Sequence, residues 1–173
     1  MLENFVALNN RVLSHFSASE LERIGVHVCP GGDRDATHSA DVDYAGLLPA
    51  LFRLRVKRFY LQLASEKDPE RVLAIIRKNL PADQEAKVFV GVVDPINPAL
   101  ETPDQVCERV LHAAEYLPVS QLGTTDDCGF SPFADDASTS RDLAFEKIRA
   151  RVEGTLMAAG KLSGKLNMRS QAS

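Results

Sequence analysis

The chain has no tryptophan, only three tyrosines and eight phenylalanines in 173 residues, and just three cysteines and four histidines. So few cysteines suggest a reduced compartment with thiol or metal chemistry, rather than a disulfide framework. Positive charge is not concentrated either. The net charge is −4 and no basic stripe runs along the sequence, which argues against a nucleic acid or an anionic membrane as partner. Only the stretch from Lys161 to Arg169 leans basic. Apolar runs stay well short of the ~20 residues of a membrane span. The start, Met1-Leu2-Glu3-Asn4, lacks the basic and apolar regions of a signal peptide, so a cytoplasmic location is expected. What is present, 45% hydrophobic and 25% charged residues, suits one globular domain able to bury a core.

Apolar periodicity divides the chain into alternating elements. Phe5, Val6, Leu8, Val12, Leu13 and Phe16 predict a helix over Asn4 to Phe16, broken by Ser17-Ala18-Ser19. A strand is expected from Ile24 to Cys29, then a polar loop holding Asp33, Arg34, Asp35, Thr37 and His38. Asp41 or Asp43 caps a helix from Tyr44 to Leu54, with a kink or break at Pro49. Further strands are expected at Arg58–Ala64, Lys87–Val93 and Val119–Thr124. Helices begin after Asp68-Pro69, Thr102-Pro103 and Arg141, the last running to about Leu162. Helix followed by four strand–helix units implies parallel strands with right-handed crossovers, whose chemistry sits on the loops after the strands. The expected domain spans residues 1–163, with 164–173 a flexible tail.

Those loops carry the unusual residues. His27 and Cys29, two apart on a strand, project from one face. An imidazole and a thiol together make half a zinc site, although such a pair taken alone is more often a packing feature. Cys128 ends another strand and is the natural third ligand. Glu66, after the second strand, offers an oxygen, whereas Gln62 is neutral and a poor ligand. Asp94, Asp126 and Asp127 lie at strand ends, where they serve either substrate binding or turns and solvation. Cys107 falls mid-helix beside the apolar stripe and reads as core. His15 and His112 read as structural or solvated, and His38 sits in an active-face loop.

Taken together, His27-Val28-Cys29, Gly91-Val92-Val93-Asp94 followed by Pro98, and Asp126-Asp127-Cys128-Gly129 resemble the carboxyl-terminal catalytic barrel of cobalamin-independent methionine synthases. The longer run Gln121 to Phe130 is similar to the branch that includes epoxyalkane–coenzyme M transferases. The resemblance covers about Leu2 to Leu162. It implies a (β/α)8 barrel, of which this chain supplies the second half as four βα units preceded by a helix. It also implies zinc held by His27, Cys29 and Cys128, with Glu66 as a candidate fourth ligand. The implied activity is methyl transfer to a thiol, homocysteine to methionine from a methylated folate. Two departures stand out. Gln62 occupies the strand where the family places a glutamate ligand, and Asp94-Pro95-Ile96 replaces the family's Asp-x-His, removing the acid that serves the folate. A coenzyme M-type thiol alkyltransfer with a non-folate donor is the alternative, and a catalytically silent subunit is a third reading. The implied partners are a small-molecule thiol, a methyl or alkyl donor, and either the missing amino-terminal half-barrel or a second copy.

Overall fold

A computed structural model describes residues 1–29, 43–80, 85–131 and 139–170, with side chains through residue 164. In chain order the elements are α1 (Leu2–Leu13), α2 (Ala18–Leu21), β1 (Gly25–Val28), α3 (Tyr44–Leu51), β2 (Arg58–Leu61), α4 (Pro69–Asn79), β3 (Lys87–Val93), α5 (Pro103–Tyr116), β4 (Leu122–Asp126) and α6 (Arg141–Ser170). The four strands form one sheet in the order β1-β2-β3-β4, every pair parallel. This is the (βα)4 half-barrel that the sequence predicts. The described residues contain no helix long and apolar enough to cross a membrane.

Local chemistry sets the helix starts. Asp43 caps α3 by accepting from the Ala45 amide at 2.9 Å, and Asp68 caps α4 by accepting from Arg71. Thr102 and Gln105 form a reciprocal capping box at α5. Ser17 and Glu20 make a second box and nucleate the single turn of α2, in a stretch that reads from sequence only as a break. Pro49 lies inside α3, which stops at Leu51 rather than at Leu54. α6 runs on to Ser170, so the expected boundary at 163 falls within a helix.

The sheet has two unlike faces. The register aligns Val26, Phe59, Val88 and Leu122 across the strands, then Val28, Leu61, Val90 and Thr124. Phe59, Leu61, Val88 and Val90 are buried against Leu48, Leu73, Ile76 and Val106 of the helices. The alternate residues, His27, Tyr60, Phe89 and Gly123, line the opposite, concave face. There the rings of Tyr60 and Phe89 stack with centroids 4.6 Å apart and planes 13° apart. Phe89 lies so close over Gly123 that a Cβ there would meet the ring. Cys107 is fully buried in the core.

β3 ends in an irregularity: Gly91 pairs with Thr125 but Val93 pairs with Asp126, leaving Val92 extra. Such a bulge re-aims the strand end next to the site. The Val92 carbonyl accepts from Arg109 Nη1 at 2.7 Å. The following loop is pinned by Lys147 of α6, whose side chain is 0% exposed. Its ammonium donates to the Asp94 carbonyl (3.0 Å), the Ala99 carbonyl (2.6 Å) and Glu101 Oε2 (2.7 Å). All three of its protons are used, which is what allows the charge to be buried. Lys147→Met takes away the buried cation of Glu101, leaving the carboxylate only Arg109 at 3.8 Å and the Asp94 amide. It should lower stability by about 3–5 kcal/mol in urea unfolding; a loss below 1 kcal/mol would contradict this account of the loop.

Candidate functional site

The carboxyl ends of the strands form one rim, and the sequence-predicted residues fall on or beside it. His27 and Cys29 share the concave face of β1. Gln62 continues the ladder next to Cys29, its amide donating to the Val28 carbonyl at 3.1 Å. Its side chain donates to Glu66 Oε1 at 3.2 Å, fixing Glu66 above the end of β2. Asp94, Asp126, Asp127 and Cys128 end β3 and β4. His38 lies outside the described residues, as do Gly31, Gly32 and Asp41. His112 is on α5, 3.8 Å from Glu70 and edge-on to Tyr116, away from the rim.

The three aspartates do different things. Asp127 is buried, and both of its oxygens are engaged. Oδ1 accepts from the Leu63 and Ala64 amides (2.8 Å each), and Oδ2 accepts from the Ser65 amide and hydroxyl (2.7 Å each). It thereby ties the end of β4 to the loop after β2, passing over β3. Gly91 makes room, because a Cβ there would overlap Asp127 Oδ1. Asp126 faces the helix layer and meets Arg151 Nε at 3.0 Å. Burial raises its pKa, with the Arg151 charge working against that rise. Asp94 turns inward on its own loop, accepting from the Ile96 amide at 2.9 Å, while its own amide donates to Glu101.

Cys29 and Cys128 stand on the two outermost strands, three spacings or roughly 14 Å apart if the sheet were flat. They nevertheless interact. Burial pushes the Cys128 thiol up to about 12, and the negative charges of Cys29, Asp127, Asp94 and Asp126 add to that push, in that order. The two thiols lie within electrostatic reach of each other. Desolvation lowers the pKa of His27, keeping its imidazole neutral near pH 7. Among the described residues no three His, Cys, Asp or Glu side chains close on a single point. The donor types nonetheless suit a soft divalent cation: a thiol held protonated by burial and by surrounding negative charge ionises when a cation joins the group. Zinc accepts this set of sulfurs and imidazole.

One rim residue has no signature in the sequence. Tyr44, the first residue of α3, is only 3% exposed, and its hydroxyl has no hydrogen-bond partner among the described residues. Burial raises its pKa, and nearby Glu66, Asp127 and Cys29 add to the rise, so the phenol stays protonated. The sequence marks Tyr44 only as the start of a helix, which gives no reason to expect this. Depressions are also present away from the rim. One of about 350 Å³ is lined by Arg77, Leu80, Tyr116 and Pro118, below the amino ends of the strands.

No family model matches the chain. It is 26% identical over 117 residues to a 2-hydroxypropyl-CoM lyase of Xanthobacter autotrophicus, covering 68% of this chain and 30% of that protein. It is 26% identical over 145 residues to a methionine synthase of Saccharolobus solfataricus, covering 83% and 36%. Among solved structures, a B12-independent methionine synthase from Shewanella sp. W3-18-1, in complex with selenomethionine, aligns at TM-score 0.61 and 20% identity. That alignment covers 81% of this chain and 39% of the other. The chain thus spans about a third of the length of these curated relatives. The likeness read from the strand-end motifs is matched by these relatives, and the fold by the Shewanella structure.

The Asp127 clamp is directly testable. Asp127→Ala orphans the amides of Leu63, Ala64 and Ser65, the first of them buried, and should cost about 3 kcal/mol or more in urea unfolding. Gly91→Ala evicts the same carboxylate, so the double variant should be little worse than the worse single one. Additive losses would show that Gly91 serves something other than the clamp.

Proposed function

We propose that this chain is the metal-binding half of a barrel that transfers a methyl or alkyl group to a thiol. His27, Cys29 and Cys128 hold zinc, and Glu66 is the nearest candidate for a fourth ligand. The observation that carries this reading is that His27, Cys29 and Cys128 all lie at the carboxyl ends of the two outer strands of one parallel sheet. The named activities of the relatives, methionine synthase and 2-hydroxypropyl-CoM lyase, support it. Zinc bound there supplies a Lewis acid that lowers the pKa of an incoming thiol below its free value of ~8.5. The chain's own residues do the rest. Neutral His27 and the two cysteines present the binding face, Gln62 orients Glu66, and Asp127 holds Cys128 in place. The acceptor sulfur then attacks the donor carbon. A sulfur–carbon bond forms as the bond to the leaving group breaks, and the electron pair departs with that group.

The donor need not be a folate. Ile96 puts an apolar side chain on the Asp94 loop where the methionine-synthase pattern has an acid, and its amide closes the turn onto Asp94. This favours a non-folate alkyl donor over the methylated folate.

The same reading includes a macromolecular partner. Among the described residues β1 and β4 are each paired on one side only, and the end helices carry uncovered apolar stripes. These are Phe5, Leu8 and Val12 on α1, and Phe145, Val152 and Leu156 on α6. Open edges and apolar stripes at both flanks are interaction surfaces. The helix count selects the occupant. The chain carries a helix before β1 as well as one after each strand, so a second copy related by a twofold along the barrel axis would crowd its α6 against α1. A complement of four strands and three helices fits without that conflict.

Protein purified without added metal should contain one zinc per chain. Cys29→Ala and Cys128→Ala should each lose at least 90% of it by elemental analysis, and retention in both would remove the reading. Leu8→Glu and Leu156→Glu, at positions 63% and 66% exposed, should leave unfolding of the lone chain within about 0.5 kcal/mol. Both should block a one-to-one complex with a polypeptide carrying the complementary four strands and three helices, measured by light scattering. A discrete twofold dimer of the lone chain would contradict the helix count.

A further inference from the structure

The unpartnered hydroxyl of Tyr44 is the feature the fold itself leaves unexplained. Buried phenols nearly always hydrogen-bond, because an unmade bond costs the full desolvation of the group. Tyr44 is fixed at the first turn of α3 by the Asp43 cap, so its place at the rim is set by the backbone. Its neighbours do not satisfy it. Asp127 has both oxygens occupied by the Leu63–Ser65 segment, and Glu66 accepts from Gln62. Cys29 lies within electrostatic reach, yet no hydrogen bond joins the two. A hydroxyl set among anions is a donor, and the acceptor it awaits is not part of the described fold.

We propose that Tyr44 Oη donates a hydrogen bond to the sulfur of the acceptor thiol bound at this rim, which makes Tyr44 a substrate-binding residue. The inference rests on the thiol-transfer reading above and adds a residue to it. It explains why the chain keeps a hydroxyl where phenylalanine would pack equally well. The ligand class is a small alkyl thiol, recognised through its thiolate, since a thiolate accepts and does not donate. A sulfur aligned in this way has its remaining lone pairs directed away from Tyr44, which orients it for attack.

The test compares the full wild-type chain with Tyr44→Phe, both loaded with Co²⁺ as a spectroscopic stand-in for zinc. Ethanethiol is the probe, because sulfur is its only polar atom. The thiolate-to-cobalt charge-transfer band is titrated, and the thermal midpoint of the metal-free chains is recorded in parallel. Tyr44→Phe should melt at or above the wild-type temperature, bind cobalt within twofold of wild type, and bind ethanethiol about tenfold more weakly. Unchanged ethanethiol affinity in the cobalt-loaded variant overturns the proposal and leaves the metal reading standing. A lower midpoint also overturns it, since the hydroxyl would then serve the fold. A wild-type chain that takes up no cobalt removes the metal reading, and the role of Tyr44 with it.

Discussion

The arrangement depends on one carboxylate. Asp127 accepts four hydrogen bonds from three consecutive residues of another loop, in a buried setting where each bond is hard to replace. Its sequence neighbour, Cys128, inherits that rigidity. The clamp crosses β3 only because position 91 has no side chain. The glycine, the aspartate and the amides of residues 63–65 therefore act as a unit. It sets where the sulfur of the last strand stands relative to the first.

A second unit holds the neighbouring loop. Lys147 reaches from α6 under the turn after β3 and is neutralised by Glu101, which also receives the Asp94 amide. The bulge at Val92 and the Arg109 bond to its carbonyl complete the support. Both units place fully satisfied charges beneath the rim, where the Tyr44 hydroxyl has no hydrogen-bond partner among the described residues. That contrast between a saturated foundation and a reactive edge is the expected layout for a site that must be pre-organised before its ligand arrives.

Much of this was legible from sequence, for physical reasons that can be named. β3 was read with its true ends because a continuous apolar run between Lys87 and Asp94 leaves little latitude. The Asp68-Pro69 and Thr102-Pro103 starts were read from local capping chemistry, which operates within four residues. The strand-end cysteines stood out because glycine turns follow them. What escaped the sequence is tertiary. Lys147 looks like any solvated helix lysine until Glu101 is brought to it. β2 stops at Leu61 because the amides from 63 to 65 turn to Asp127 instead of continuing a ladder. β4 starts at Leu122, later than its apolar onset, because a turn bonded from Gln121 to Pro118 delays it. The orphaned hydroxyl of Tyr44 is invisible without its surroundings.

The central claim is that two sulfurs and an imidazole from distant parts of the chain share one cation. The most direct measurement is X-ray absorption at the zinc edge of the purified protein. The account predicts two sulfur scatterers at about 2.3 Å and at least one imidazole nitrogen near 2.0–2.1 Å. A shell of nitrogen and oxygen alone would contradict it.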